Sequence, residues 1–225
     1  MMFQHADFKL DYDDLTAKSV KNERRYETPD GKSYPSVTTV LSILSEDFIR
    51  KWRKRVGEDE ANKVSHRAST RGTAVHSIIE KYIYNDENFT EGFMPNIVDN
   101  FIAVQKVLDN GIGKVYSQEA ALYSHHLGLA GRVDCVAEWN GKLSIIDFKT
   151  SKKLKKKEWV ENYFIQESAY AIMWEERTGM PITQLVTIIA VDNEEPQVFI
   201  EHRDNHTEKL LATIKEYNRR KMFGR

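Results

Sequence analysis

Asp134, Asp147 and Lys149 are the residues whose types and spacing promise chemistry. They flank Asn140-Gly141, a dipeptide that tolerates the positive φ angles of a type I′ turn and so signals a hairpin. A two-residue loop there sets Trp139 against Lys142, and counting outward places Asp134 directly opposite Asp147. Side chains alternate along a strand, so Lys149 shares the face of Asp147. Two carboxylates facing each other in a sheet repel, and a fold that keeps them needs a cation. A hard divalent ion with oxygen ligands answers that need, while Lys149 alone would offset part of the charge. The plainer alternative is a pair of aspartates on a solvated face. On the opposite face, Val133, Cys135, Ala137, Trp139, Ile146 and Phe148 are expected to be core.

Other residues extend the constellation. Glu119 lies between Gln118 and Ala120 on the strand before the hairpin, where glutamate is statistically depleted. His76 sits in a helical stretch whose apolar stripe is Val75, Ile78, Ile79 and Tyr82. Gly72, His76 and Glu80, at i, i+4 and i+8, share a separate face of that helix. Gln166 and Tyr170 are spaced i, i+4 on the helix after the hairpin. Taken singly, these are an edge charge, a structural histidine and a helix-surface pair. Taken together, Asp134, Asp147, Glu119 and His76 form an oxygen-rich cage with one imidazole, of the kind Mg²⁺ or Mn²⁺ prefers.

Lys149 beside such a cage would orient or deprotonate a water, or neutralise charge on a phosphoryl transition state. The substrate expected is a phosphodiester. It would approach over Lys152, Lys153, Lys155, Lys156 and Lys157, a tract that also reads as a solvated loop. Lys149→Ala is expected to abolish cleavage and spare the fold. Trp52 or Trp159 would stack on a base if exposed, although tryptophan is more often buried.

Positioning these residues requires a sheet and the helices that cover it. Residues 1 to about 33 are polar and read as irregular. Pro35 and the apolar residues Val37, Val40 and Leu41 suggest a short helix, and Ser45 a cap for a basic helix ending near Gly57. A further helix is read from Glu58 to about Ala68, another through His76, and another from Pro95 to Gly111. Strands follow near 114–123, 131–139 and 142–150, then a helix at 157–178, strands near 184–192 and 197–203, and a last helix from about Thr207. The expected fold is α/β, a central mixed β-sheet flanked by helices with an N-terminal helical cap. Residues 1–68 are read as arm and cap and 69–225 as core, in one compact domain.

The 225 residues are 40% hydrophobic, enough for one well-filled core. The formal net charge of −1 names no partner, but the charge is segregated. Asp7, Asp11, Asp13 and Asp14 cluster at the front, against basic runs at 50–55, 152–157 and 219–221. That pattern suits a basic channel on an acidic body. Cys135 is the only cysteine, which excludes an internal disulfide, a multi-cysteine zinc site and an iron–sulfur cluster within the chain. No export signal or membrane span is read, so a cytoplasmic location is expected.

Gly131-Arg132-Val133-Asp134 followed by Ile145-Ile146-Asp147-Phe148-Lys149-Thr150 resembles the PD-(D/E)XK nuclease signature in its RecB-like form. Gly72-Thr73-Ala74-Val75-His76 is similar to the upstream histidine motif of that branch, and Gln166 to Tyr170 to its downstream QxxxY helix. Glu119 matches the acidic residue of its first strand. Tyr34 to Leu41 narrows the resemblance to the mitochondrial genome maintenance exonuclease group and its bacteriophage relatives.

The resemblance implies a restriction-endonuclease-like αβββαβ core and a Mg²⁺- or Mn²⁺-dependent DNA exonuclease preferring single-stranded or free ends. It implies metal contacts from His76, Glu119, Asp134, Asp147 and the Phe148 carbonyl, with Lys149 catalytic. It also implies substrate contacts from Gln166, Tyr170, Ser36, Thr38, Arg71, Lys152 and Lys153. Compact length favours the phage-type member, with replication or recombination proteins as partners and host cytoplasm as the setting. No nucleotide-binding GxxxxGK[ST] is present, so no nucleotide cofactor is expected. The alternatives are an endonuclease of the same fold and a catalytically silent DNA-binding module.

Overall fold

The hairpin forms in the expected register. Asn140 and Gly141 take φ of 52° and 79°, and Trp139 pairs with Lys142. The computed structural model describes residues 2–20 and 23–224. In chain order the strands and helices begin with β1 (Ala17–Val20), β2 (Glu23–Glu27), β3 (Ser33–Pro35), α1 (Val37–Leu41), α2 (Glu46–Val56) and α3 (Glu58–Ile83). They continue with α4 (Pro95–Gly111), β4 (Ile112–Ser124), β5 (Leu129–Trp139), β6 (Lys142–Ser151), α5 (Glu161–Thr178), β7 (Gln184–Val191), β8 (Gln197–His202) and α6 (Asp204–Met222).

The main sheet runs β4-β5-β6-β7-β8. Every neighbouring pair is antiparallel except β6 and β7, which are parallel. A parallel pair needs a crossover, and α5 supplies it. One face of the sheet packs Phe164, Ile165 and Trp174 of α5, with Val37 and Val40 of α1 and Leu210 of α6. The other face packs Ile78, Ile79 and Ile83 of α3 with Phe101, Val104 and Leu108 of α4. Burying each large apolar side chain of this kind contributes roughly 1.5–3 kcal/mol. The mixed α/β architecture expected from the sequence is the one observed.

Several local readings change. The polar stretch before residue 33 is not irregular, because β1, β2 and β3 form a second antiparallel sheet. Its strands are short and mostly exposed, so no buried alternation marks them. Pro35 ends β3 instead of opening a helix, and the Ser36 hydroxyl caps α1 by accepting the Thr39 N–H at 3.0 Å. The two helices read between 58 and 83 are one helix of 26 residues. It passes residue 68 unbroken, so the boundary read between cap and core falls inside a helix. Helix α5 starts at Glu161 after a 3-10 turn at Lys157–Trp159, and α6 starts at Asp204.

The clearest difference lies beside the hairpin. Val133, expected on one face with Cys135, packs instead with the α5 side, while Cys135 packs with the α3 side. Across the ladder is Glu119, whose φ of 48° is left-handed and uncommon for a residue with a Cβ. It falls between the ladder pairs Gln118↔Cys135 and Ala120↔Val133, whose common register sets it opposite Asp134. Irregularities of this kind re-aim a side chain, and they concentrate near functional sites.

Candidate metal centre

Three elements converge beside the left-handed Glu119. Helix α3 brings His76, β4 brings Glu119 and β5 brings Asp134, and one ligand atom from each lies within 4.8 Å of the others. All three side chains are half-buried. The histidine is held in one orientation. Its Nε2 lies 2.6 Å from the Phe148 carbonyl oxygen, which makes Nε2 the donor, and its Nδ1 lies 3.6 Å from Asp134 Oδ2. The Nδ1 lone pair therefore faces the carboxylates. Asp134 Oδ2 is itself fixed by the Phe148 N–H at 2.9 Å. One imidazole and two carboxylates make a donor set that fits a divalent cation, with the neighbouring backbone setting their directions.

Asp147 stands beside this trio. Its carboxylate is buried, accepts a bond from Gln166 Nε2 at 3.2 Å on Oδ1, and pairs with the Lys149 ammonium on Oδ2. The ammonium also lies 5.0 Å from the centre of the Tyr163 ring, a cation–π contact. The Phe148 carbonyl, expected as a ligand, orients His76.

Electrostatics follow from burial and crowding. Burial raises the Glu119 carboxyl to about 7, with Asp134 and Glu80 adding to the effect. Burial raises Asp147 to about 6, opposed by Lys149 and reinforced by Asp134. Burial alone would lower the Lys149 pKa, but Asp147 and Asp134 outweigh it and the value is raised. The two carboxylates thus favour the charged form of Lys149.

A cation held by Glu119 would have to displace its proton, which would link binding to pH. Mg²⁺ or Mn²⁺ affinity is expected to rise up to about tenfold per pH unit below 7 and to level off above it. Calorimetric titration between pH 5.5 and 8.5, in buffers of different ionisation enthalpy, reads both the affinity and the released proton. A flat profile would remove Glu119 from the ligand set.

The centre opens into a cleft of about 580 Å³, lined also by Thr38, Gly72, Lys149, Gln166 and Tyr170. Gly72, His76 and Glu80 line it together, as their spacing implies. A Cβ at Gly131 would sit 2.8 Å from the Tyr170 ring, so glycine is what lets that buried tyrosine close over β5. Ser36 reaches the lining but is buried, with its hydroxyl engaged in the α1 cap. Arg71 lies elsewhere, in a double contact with Asp192 at 2.6 and 2.7 Å beside an acidic pocket. Lys152 and Lys153 are exposed in the loop beyond β6 and do not line the cleft.

Trp159 is 66% exposed against the expectation of burial, with the Lys156 ammonium 5.5 Å from its ring. Arg24, Tyr26 and Arg132 also line the cleft. The first two escaped the sequence reading because their strand did. Arg132 was quoted only as part of a motif, although its place two residues before Asp134 puts it at the same site.

This fold and this donor set define a nuclease. The PD-(D/E)XK nuclease superfamily matches residues 48–223, and the chain belongs to that superfamily. Its members are nucleases that typically use a divalent metal, and DNA is the substrate the family implies.

Mitochondrial genome maintenance exonuclease 1 of Mus musculus is 32% identical over 131 residues, which are 55% of this chain and 38% of that protein. The Homo sapiens protein of the same name is 32% identical over 130 residues, 54% of this chain and 38% of that one. The chain therefore matches well under half the length of these relatives. A solved structure of an exonuclease candidate from Eubacterium rectale superposes with a TM-score of 0.47 at 17% identity. That superposition covers 67% of this chain and 65% of the other. No described helix is long and apolar enough to cross a membrane.

Proposed function

We propose that the protein is a Mg²⁺- or Mn²⁺-dependent exonuclease that hydrolyses phosphodiester bonds at single-stranded DNA ends. The observation that carries this reading is the His76, Glu119 and Asp134 group set beside the Lys149–Asp147 pair in one walled cleft. Similarity to exonucleases supports the end preference.

His76, Glu119 and Asp134 would hold the cation, with Asp147 flanking it. The cation supplies positive charge and water activation at the scissile phosphate. The Phe148 peptide orients two of the ligands, His76 through its carbonyl and Asp134 through its N–H. Asp147 fixes the Lys149 ammonium, and Gln166 fixes Asp147. Lys149 then offsets negative charge on the phosphate as the bond to the leaving oxygen breaks. Thr38, Gln166 and the rim of the buried Tyr170 line the cleft and would meet the strand there, and the exposed Lys152 and Lys153 would add approach charge. An end-processing role in DNA replication, recombination or degradation fits such an activity.

Labelled linear single strands, a duplex and a closed single-stranded circle, each with Mg²⁺, Mn²⁺ or EDTA, test the reading. Stepwise loss from linear strands, an intact circle and no product in EDTA are expected. A cut circle would replace the exonuclease with an endonuclease. Binding without product in any metal would leave a silent DNA-binding module.

A further inference from the structure

We propose that the Arg132 guanidinium is a subsite for a backbone phosphate of the substrate strand, and that Asp14 occupies it in the free protein. This rests on the exonuclease reading and deepens it. The acidic residues near the front of the chain have no part in the chemistry described so far. Their segment is nonetheless tied down. Gln4 and Ala6 exchange backbone bonds with Val115 on the open edge of β4, at 2.8 and 2.7 Å. Tyr12 Oη donates to the Ala121 carbonyl at 2.9 Å, and Leu15 is buried with Tyr26 and Ala121. Asp14 lies between those last two anchors, so its position is set by the fold.

Arg132 meets it from the cleft. One terminal nitrogen of the guanidinium donates to the Glu119 carbonyl, at the irregular residue that carries a proposed metal ligand. The other donates to both oxygens of Asp14, at 2.8 and 2.7 Å. The two ends of this arrangement differ. The arginine side chain is 27% exposed and tethered to backbone, whereas the aspartate side chain is 66% exposed. A pair so open to water is weak and exchanges readily.

The result is a fixed guanidinium with a replaceable anion. A phosphodiester offers the same two-oxygen face to arginine that a carboxylate does. The cleft is also rich in carboxylates. Glu80, Glu119 and Asp134 line it against Arg24, Arg132 and Lys149, and the charge of Lys149 is largely matched by Asp147. A phosphate two residues along β5 from Asp134 would lie next to the one being cut.

Fluorescence anisotropy with a labelled single-stranded 12-mer in EDTA tests the proposal without cleavage. Asp14→Asn is expected to bind about three-fold tighter than wild type, the factor that corresponds to releasing an exposed pair. Asp13→Asn makes the same charge change at an exposed aspartate one residue away, and a smaller gain is expected there. In an Arg132→Lys background, which keeps the charge and loses the planar fork, the Asp14→Asn gain should vanish. Arg132→Gln is a second background, and thermal melts confirm that each variant is folded.

Equal or weaker binding by Asp14→Asn overturns the subsite. So does a gain matched by Asp13→Asn or persisting without Arg132. Wild-type protein that leaves linear single strands intact in Mg²⁺ and in Mn²⁺ would instead overturn the exonuclease reading, and the subsite with it.

Discussion

Lys149→Ala is expected to abolish metal-dependent cleavage and to destabilise the fold by ~3–5 kcal/mol at pH 8. The first effect follows from losing the cation set beside the metal centre. The second corrects the expectation from sequence that the fold would be spared. The Asp147 side chain is 2% exposed, and Lys149 is its ion-pair partner. Removing the ammonium leaves a buried charge without compensation.

The deficit should depend on pH in a known direction. The Asp147 pKa is already raised to about 6 with Lys149 opposing the burial effect, and without Lys149 it rises further. A carboxyl whose folded pKa exceeds its unfolded value holds a proton that unfolding releases. Its penalty is therefore absent below the ordinary carboxylate range and grows as pH rises through the folded pKa. Urea unfolding at pH 5 and pH 8 should show the Lys149→Ala deficit shrinking at the lower pH. Equal deficits at both would mean that Asp147 is not the buried charge responsible.

Asp134→Asn should do the opposite to stability. It removes a ligand charge, so metal affinity should fall by ~10–100-fold, with cleavage falling at least as far. Asp134 also raises the carboxyl pKa of both Glu119 and Asp147, two like-charge repulsions set against its attraction to the Lys149 ammonium. Asparagine keeps an oxygen for the Phe148 N–H and relieves both repulsions. The metal-free melting temperature should therefore rise by about 2–4 °C, the shift that ~1 kcal/mol produces in a domain of this size. A fall in metal-free stability would show that the Asp134 charge is supported by its surroundings and not strained by them. Stability gained as activity is lost marks a residue kept for function.

Much of this centre was legible in the chain. The Asn140-Gly141 turn has one natural geometry, and alternation carries its register outward, so Asp147 and Lys149 fell on one face from counting alone. Helical spacing likewise placed Gly72, His76 and Glu80 on the cleft. What escaped has physical causes. The left-handed residue at Glu119 is a backbone event, and glutamate at positive φ leaves no mark in composition. Beside it Val133 packs on the α5 face and Cys135 on the α3 face, which simple alternation does not predict. The small sheet of β1, β2 and β3 hides no alternating apolar row, so its Arg24 and Tyr26 could not be placed beside the metal ligands. Arg71 and Ser36 were assigned to DNA by motif, and the partners the fold gives them, Asp192 and the α1 cap, are remote or internal to the backbone.

The unbroken length of α3 sets how fluctuations travel to the metal centre. At 26 residues it is a rod of about 39 Å. Of its six buried side chains, five lie from Val75 onward, and only Ala61 is buried in the half before it. The outer half therefore keeps its hydrogen bonds by propagation from the packed half rather than by its own nucleation. Arg53 of α2 ties down the first turn through Glu58 and Asn62, and beyond it amide lifetimes should lengthen towards His76. The α3 residues that line the cleft, Gly72 to Glu80, belong to the packed half, so an occupant of the cleft would rest on the part of the rod that frays last.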